Sequence, residues 1–149
     1  EYLRISRIEA FDVAHTSGKE TVGVMVAVRG GKPDKSLYRK FKIKTAIAGD
    51  DTGALRELLV RRFNHPEWGQ PSVVVIDGGV AQLNLAKKVC KELNLVVSIV
   101  SVVKNEHHRP SRILGDTKSV HNFRNDILLA NREAHRFAIS FHRRRRDKV

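Results

Sequence analysis

The sequence predicts an α/β domain in which a three-strand antiparallel meander continues into parallel strands, with helices on both faces of the mixed sheet. Alternating apolar residues mark three consecutive strands near the start of the chain. Later apolar runs show no alternation and are separated by segments with helical periodicity. The resulting order, β-β-β-α-β-α-β-α, is typical of a mixed sheet whose parallel strands are joined by helical crossovers.

The three strands of the meander are predicted from alternation of apolar and polar side chains. Residues 5–15 show the first alternation, and residues 22–28 show the second, in which four valines occupy every other position. A glycine pair and a Pro-Asp pair then predict a turn, and residues 37–43 alternate again. Short connections of this kind favour antiparallel neighbours.

Helices and buried strands make up the remainder of the prediction. A helix begins after Asp50 or Asp51, and residues 73–77 (VVVID) form an apolar run typical of a strand buried on both faces. A glycine pair leads into a second helix that ends near Leu93, and residues 96–103 form another strand. The last predicted segments are a polar loop rich in histidine and arginine at residues 104–122 and a final helix at residues 123–145.

Length and composition predict a single folded domain, residues 1–149, that binds a polyanion. The chain is 41% hydrophobic, and 28 Lys+Arg against 16 Asp+Glu give a net charge of +12. No apolar run reaches the roughly 20 residues of a transmembrane helix, and the first residues lack a signal-peptide pattern. One cysteine excludes an internal disulfide and a Cys-type zinc site. We therefore expect a cytoplasmic protein with no membrane partner, and 6% aromatic residues favour nucleic-acid binding through backbone contacts.

Two aspartates occupy positions at which chemistry is a strong alternative to packing. Asp12 shares a strand face with apolar residues, where a carboxylate is costly to bury unless it is paired or bound to a metal. Asp77 ends the buried strand before two glycines and a helix, the position at which open α/β sheets bind ligands. Each also has an ordinary structural interpretation as a cap. Because both glycine-rich nucleotide-binding patterns are absent, a small-nucleotide enzyme is the weakest hypothesis.

His135 lies on the final predicted helix, on a different side from the apolar stripe of that helix. A lone helical histidine is usually structural. If the strand carrying Asp12 and the strand ending at Asp77 are neighbours, however, the two carboxylates converge and the helix brings His135 beside them. Two carboxylates and an imidazole suit Mg²⁺ or Mn²⁺, and such an ion orients a phosphate and offsets its repulsion by the carboxylates.

Six sequence blocks, in this order and spacing, resemble the C-terminal endonuclease domain of the UvrC family. They are RIEAFDVAHTSG, YRKFKIK, GDD, LRELLVRRF, VVIDGGVAQLN and EAHRFAISFHRRRR, between residues 7 and 146. The resemblance implies a ribonuclease H-like fold and a metal-dependent endonuclease of bacterial nucleotide excision repair, which incises damaged DNA on the 5′ side of the lesion. By motif position it also implies that Asp12, Asp77 and His135 are catalytic and bind one Mg²⁺ or Mn²⁺ ion.

The same resemblance implies partners and a longer parent protein. In the family this domain accompanies a GIY-YIG nuclease domain, a UvrB-contacting segment and a helix-hairpin-helix pair, all of which are absent from these residues. We therefore expect a fragment that acts on damaged double-stranded DNA with UvrB, downstream of UvrA. One departure from the family pattern is Val80 and Ala81 in place of Lys-Gly, which removes a lysine beside the expected metal.

Basic side chains in the matching blocks are candidates for holding the DNA backbone, although a solvated charged surface is the simpler interpretation for any one of them. The alternative to a nuclease is a DNA-binding module of the same fold that depends on another subunit for chemistry. The candidates are Arg39, Lys42, Lys44, Arg61, Arg62, Arg136, Arg143, Arg144, Arg145 and Arg146.

Overall fold

A mixed sheet of seven strands forms the centre of the protein. The structure is a computed structural model that describes residues 6–16, 20–45 and 49–147, with side chains up to residue 141. The helices are α1 (Asp51–Phe63), α2 (Val80–Glu92) and α3 (Thr117–Asp147). The strands are β1 (Arg7–His15), β2 (Thr21–Arg29), β3 (Lys32–Pro33), β4 (Arg39–Lys42), β5 (Val73–Asp77), β6 (Ser98–Lys104) and β7 (Pro110–Gly115).

The strand order is β3-β2-β1-β5-β6-β7, with β4 also paired to β2. Strand β1 is antiparallel to β2 and parallel to β5, and β5 is parallel to β6, so the predicted passage from meander to parallel strands is confirmed. The third meander strand is shorter than the predicted residues 37–43. A two-residue strand ending at Pro33 and a turn of 3-10 helix (Lys35–Leu37) precede it, because proline has no N–H to extend the ladder.

Two hydrophobic cores lie on opposite faces of the sheet. On one face α3 packs Ile127, Ala130, Ala134 and Ala138 against alternate residues of β1, β2, β5 and β6. The other face is covered by the apolar sides of α1 and α2, whose predicted inner residues are buried or partly buried. Helices therefore cover both faces, as expected. Although α3 has 31 residues, none of the helices in the described residues is long and apolar enough to cross a membrane.

The prediction of a polar loop over residues 104–122 is wrong. This segment contains β7, which pairs antiparallel with β6, and the start of α3 at Thr117. Strand β7 lies at the sheet edge and is exposed or half-buried throughout, so it lacks an apolar alternation that could have revealed it. The helix begins where Asp116 accepts from the backbone N–H of Ser119 (3.1 Å), and the predicted start at Phe123 is a kink with φ −126°.

A buried ion pair joins β1 to α1 on the face opposite α3. Arg62 donates from Nε to Glu9 Oε1 (2.7 Å) and from Nη2 to Glu9 Oε2 (2.9 Å), and both side chains are fully buried. Arg7 adds a contact to Glu9 at 3.0 Å, and Arg62 also donates to the carbonyl of Gly69. The expectation that Arg62 contacts DNA is therefore wrong, because its guanidinium group is fully enclosed by protein.

Substituting one member of this pair tests its structural role. We expect Glu9→Gln to lower the free energy of unfolding by about 3–5 kcal/mol, because the neutral amide leaves the buried guanidinium of Arg62 without its counter-charge. Urea denaturation followed by circular dichroism measures the change. The matched control is Glu92→Gln, whose partner Arg56 is 44% exposed, and its cost should stay below about 1 kcal/mol. Equal losses in the two variants would contradict the assignment.

Candidate active site

Strands β1 and β5 are parallel, and they bring Asp12 and Asp77 to the same end and the same face of the sheet. In their parallel register Phe11 lies opposite Ile76, so the next residue of each strand is an aspartate. Both aspartates continue the alternation that faces α3, since the preceding alternate residues of both strands lie in the core beneath that helix. The predicted neighbourhood of the two strands is confirmed.

Asp12 is held in a mostly enclosed position, with its side chain 15% exposed. Its Oδ1 accepts the backbone N–H of Val13 at 2.9 Å, and its Oδ2 lies 3.4 Å from Nδ1 of His135. Burial raises the pKa of the Asp12 carboxyl above its usual value, and the negative charge of Asp77 raises it further. The site therefore has an excess of negative charge that a cation would relieve.

Asp77 is contacted by two donors from other elements. The ammonium group of Lys104, at the end of β6, contacts its Oδ1, and Nδ2 of Asn131 on α3 donates to the same oxygen at 3.1 Å. Asn131 is itself buried, so this amide fixes the carboxylate from the helix side. The charge of Asp77 is thus partly balanced by the chain itself.

The glycine that follows Asp77 has a conformational role. Gly78 has φ +138°, and a Cβ at this position would lie 2.7 Å from the side chain of Gln82. Gln82 in turn accepts the N–H of Gly79 at 2.9 Å, which closes the first turn of α2. Glycine at residue 78 therefore allows the backbone to turn from β5 toward α2 immediately after Asp77.

His135 lies beside the apolar stripe of α3, one helical turn after the buried Asn131, and is 65% exposed. The adjacent turn of the helix is fixed by Glu133, which accepts from Tyr38 Oη (2.6 Å) and from Arg136 Nε (2.7 Å). These donors lower the pKa of Glu133 to about 2, and burial together with Glu133 raises the pKa of Tyr38. This network ties α3 to the segment before β4 and so positions His135.

The basic residues proposed to hold DNA divide into two groups. Lys42 and Lys44 are exposed, and Lys42 pairs with the end of β2 that lies beside the carboxyl end of β1. The arginines whose side chains are described are engaged with the protein instead, mainly through carbonyl groups, carboxylates and aromatic rings. Those with such partners are Arg39, Arg61 and Arg136, in addition to the buried Arg62, whereas the side chains of Arg143, Arg144, Arg145 and Arg146 lie outside the described residues.

Sequence reasoning missed Lys104 and Asn131, the two donors to Asp77. A signal for each was present: Lys104 directly follows the predicted strand 96–103, which ends at the same sheet edge as β5. Asn131 is four residues before His135, one helical turn away, and therefore lies on the same side of α3. The position of Lys104 follows once β5 and β6 are known to be parallel, and that of Asn131 follows from its helical spacing to His135.

The donor set fits a hard divalent cation, although its members are not closed around one point. In the described residues no group of three or more His, Cys, Asp and Glu side chains is arranged to hold a metal ion. The ammonium of Lys104 instead supplies the positive charge at Asp77. Carboxylate oxygens and an imidazole nitrogen are suitable ligands for Mg²⁺ or Mn²⁺, and burial and the charge of Asp77 both raise the pKa of Asp12, so a bound cation would favour its charged form.

Removing the charge of Asp12 tests this imbalance without any cleavage assay. We expect Asp12→Asn to raise the Tm at pH 7 in EDTA, because the amide still accepts from Val13 but no longer opposes Asp77 or requires burial of a charge. Differential scanning calorimetry measures the shift. The matched control is Asp116→Asn, which should lower the Tm. Hydrogen bonds from Ser119 favour the charged carboxylate of Asp116 and lower its pKa, so its charge is stabilising. A lower Tm for Asp12→Asn would contradict the interpretation.

Comparison with known proteins shows the family to which this chain is similar. The model of the UvrC RNAse H endonuclease domain matches residues 2–139. UvrABC system protein C of Finegoldia magna is 36% identical over 97% of this chain and 26% of its own length. The Streptococcus uberis protein of the same name is 41% identical over 95% of this chain and 26% of its own length, so the chain spans about a quarter of these relatives.

A solved structure supports the fold. Endonuclease V of Ciona intestinalis, in complex with a 23mer DNA, aligns with a TM-score of 0.52 and 14% identity over 81% of this chain and 55% of that chain. At this identity the likeness concerns the fold alone, which is the ribonuclease H-like mixed sheet expected from the sequence. The chain belongs to the UvrC RNase H endonuclease domain family.

Proposed function

We propose that this domain is a metal-dependent DNA endonuclease that hydrolyses a single phosphodiester during nucleotide excision repair. The observation that supports this most directly is the placement of Asp12 and Asp77 on adjacent parallel strands, with Nδ1 of His135 3.4 Å from Asp12. Two partly buried carboxylates with few compensating charges are a costly arrangement unless they serve a function. Membership of the UvrC family supplies the biological setting.

Asp12, Asp77 and His135 are the residues that would hold Mg²⁺ or Mn²⁺. Such an ion, when bound, orients the phosphate, generates a hydroxide nucleophile and stabilises the leaving oxygen. A neutral imidazole in place of a third carboxylate favours one ion over two, because each further cation needs anionic ligands. The ribonuclease H-like mode of hydrolysis leaves a 3′-hydroxyl and a 5′-phosphate.

The surrounding residues prepare the carboxylates for this role. Asn131 holds Asp77 from the helix side, and the backbone N–H of Val13 fixes one oxygen of Asp12. Lys104 offsets the charge of Asp77 in the absence of another cation and lies where its ammonium can contact a phosphate. His135 is exposed enough to exchange protons with solvent, so it has a second candidate role in moving a proton.

The substrate and partners of the proposed activity follow from the family. We propose damaged double-stranded DNA as substrate, with incision on the 5′ side of the lesion, in a cytoplasmic complex with UvrB downstream of UvrA. A net charge of +12 favours a polyanion, and the exposed Lys42 and Lys44 lie toward the edge of the sheet that carries the aspartates. Lesion recognition then comes from the other subunits rather than from this domain.

Plasmid nicking tests the proposed function. We expect conversion of supercoiled to open-circular plasmid with Mn²⁺ or Mg²⁺ and none with EDTA, because the carboxylates need a cation to approach a phosphodiester. Asp77→Ala should reduce the rate at least about 100-fold. The matched control is Asp34→Ala, which should nick at the wild-type rate. Asp34 accepts a hydrogen bond from Ser36 and lies near the end of β2 that is far from the candidate active site.

Two further measurements separate the alternatives. Mn²⁺ should raise the Tm of the wild type but not that of Asp77→Ala, because stabilisation requires binding to the folded state. If the wild type binds DNA without nicking it, the domain is the DNA-binding module that depends on another subunit. Nicking that survives Asp77→Ala would contradict the assignment of the site.

A further inference from the structure

A cavity of about 350 Å³ opens directly beside Asp77, between α3 and the turn that joins β6 to β7. Its walls combine apolar surface from Leu128 and Pro110 with the basic side chains Arg109 and Arg132. A volume of this size is within the range of small-ligand sites, which are roughly 300–1,000 Å³. The cavity is continuous with the candidate active site, since Asp77 belongs to its lining.

Arg109 and Arg132 differ from the arginines predicted to hold DNA. Both are exposed, and in the described residues neither guanidinium group has a hydrogen bond or an ion pair with the protein. Arg136, one turn after Arg132, is by contrast bonded to Glu133. A free guanidinium beside an apolar wall is suited to bind the phosphate of a ligand whose other part is apolar.

The turn that carries Arg109 is held in place by its own hydrogen bonds. Asn105 Oδ1 accepts the backbone N–H groups of His107 (2.8 Å) and Arg109 (3.1 Å), and the N–H of Asn105 donates to the carbonyl of Arg109 at 2.8 Å. Arg109 is therefore presented from an ordered turn. This lowers the entropic cost of using it in binding.

Helix α3 aligns the opposite wall with the candidate active site. Leu128, Arg132 and His135 are spaced by four and three residues, so they lie along one side of the helix. A DNA strand that passes His135 therefore meets Arg132 and then Leu128 within about two helical turns. Along the helix, His135 thus belongs to the candidate active site, Arg132 can contact a phosphate, and Leu128 forms the apolar wall.

We propose that this cavity binds the nucleotide adjacent to the cleaved phosphodiester, with its base against Leu128 and Pro110 and its phosphate held by Arg109 and Arg132. The inference rests on the proposed nuclease function, because it takes the DNA strand to pass Asp77 and His135. Apolar contact does not read the hydrogen-bonding edge of a base, so the cavity accepts different bases. The main DNA contact beside the site then comes from α3 and the β6–β7 turn, rather than from Arg39 and Arg61.

Binding of a fluorescein-labelled single-stranded 12-mer, measured by anisotropy in EDTA, tests the phosphate contact independently of cleavage. We expect Arg132→Ala to weaken binding about tenfold at low salt and to reduce the salt slope by about one counterion. The matched control is Arg29→Ala, an exposed arginine at the far end of β2 that pairs with Arg7 rather than with the Asp12 region. Its effect should stay below about twofold.

Methyl NMR of the whole chain tests the contact with the base. Thymidine 5′-monophosphate should shift the Leu128 methyl signals saturably, whereas 2-deoxyribose 5-phosphate, which has the same phosphate and no base, should leave them unchanged. The 12-mer should bind at least about 100-fold more tightly than the mononucleotide, because several phosphates then contribute. Leu128→Met assigns the signals while keeping the wall apolar.

Three outcomes would overturn the inference. Equal losses in Arg132→Ala and Arg29→Ala would mean that DNA binding depends on overall charge alone. Equal responses of Leu128 to the two small phosphates would mean that the cavity does not take the base. A mononucleotide that binds as tightly as the 12-mer would make the cavity a site for free nucleotides. Since none of these readouts involves a metal or cleavage, failure of the nuclease proposal is recognised separately, by the absence of metal-dependent nicking.

Discussion

The parallel pairing of β1 with β5 is the constraint on which the rest of the site depends. It places Asp12 next to Asp77 on one face of the sheet, so that two like charges share a poorly solvated position. The neighbouring elements supply what this arrangement lacks: a backbone N–H from Val13, an amide from Asn131 and an ammonium from Lys104. The amide and the ammonium contact Asp77, whereas Asp12 has the backbone N–H and the nearby imidazole of His135, and burial together with the charge of Asp77 raises the pKa of Asp12. A site that keeps uncompensated negative charge next to basic surface is suited to a metal ion followed by a phosphodiester.

The two faces of β1 divide stability from chemistry. On the face toward α1 and α2, Glu9 is neutralised by two arginines and enclosed, which locks the strand in register without exposing charge. On the face toward α3, Asp12 interrupts the apolar alternation between Ala10 and Ala14, and the helix contributes an amide and an imidazole at this point instead of apolar side chains. Because the buried alanines of α3 are small, the helix lies close to the sheet and brings Asn131 and His135 within reach of the aspartates. The same strand therefore has a rigid face and a reactive face.

Sequence patterns predicted the elements whose burial is strong on one or both faces. The alternation in β2 and the apolar run in β5 identified both strands, and the order of elements then brought Asp12, Asp77 and His135 together. Strand β7 escaped prediction because an exposed edge strand has no apolar alternation, and the start of α3 was hidden because its first turns are polar. Arg62 was misassigned for a related reason: an arginine in a basic block gives no sign in the sequence that it points inward to a buried glutamate 53 positions away.

Charge in the sequence is therefore a poor guide to which side chains can meet DNA. Arg39, Arg61 and Arg136 were chosen because they lie in family blocks, yet each is engaged by carbonyl groups, carboxylates or rings of its own chain. Detaching them from those partners would offset much of what a phosphate contact provides. Arg109 and Arg132 lie between the family blocks. In the described structure their guanidinium groups have no protein partner from which they would have to detach before they contact a phosphate. A guanidinium without a protein partner in the described structure, next to an apolar wall and the partly buried Asp77, is already arranged for a phosphate. Under the proposed function, we therefore expect the availability of basic side chains, rather than their number, to determine where the DNA lies.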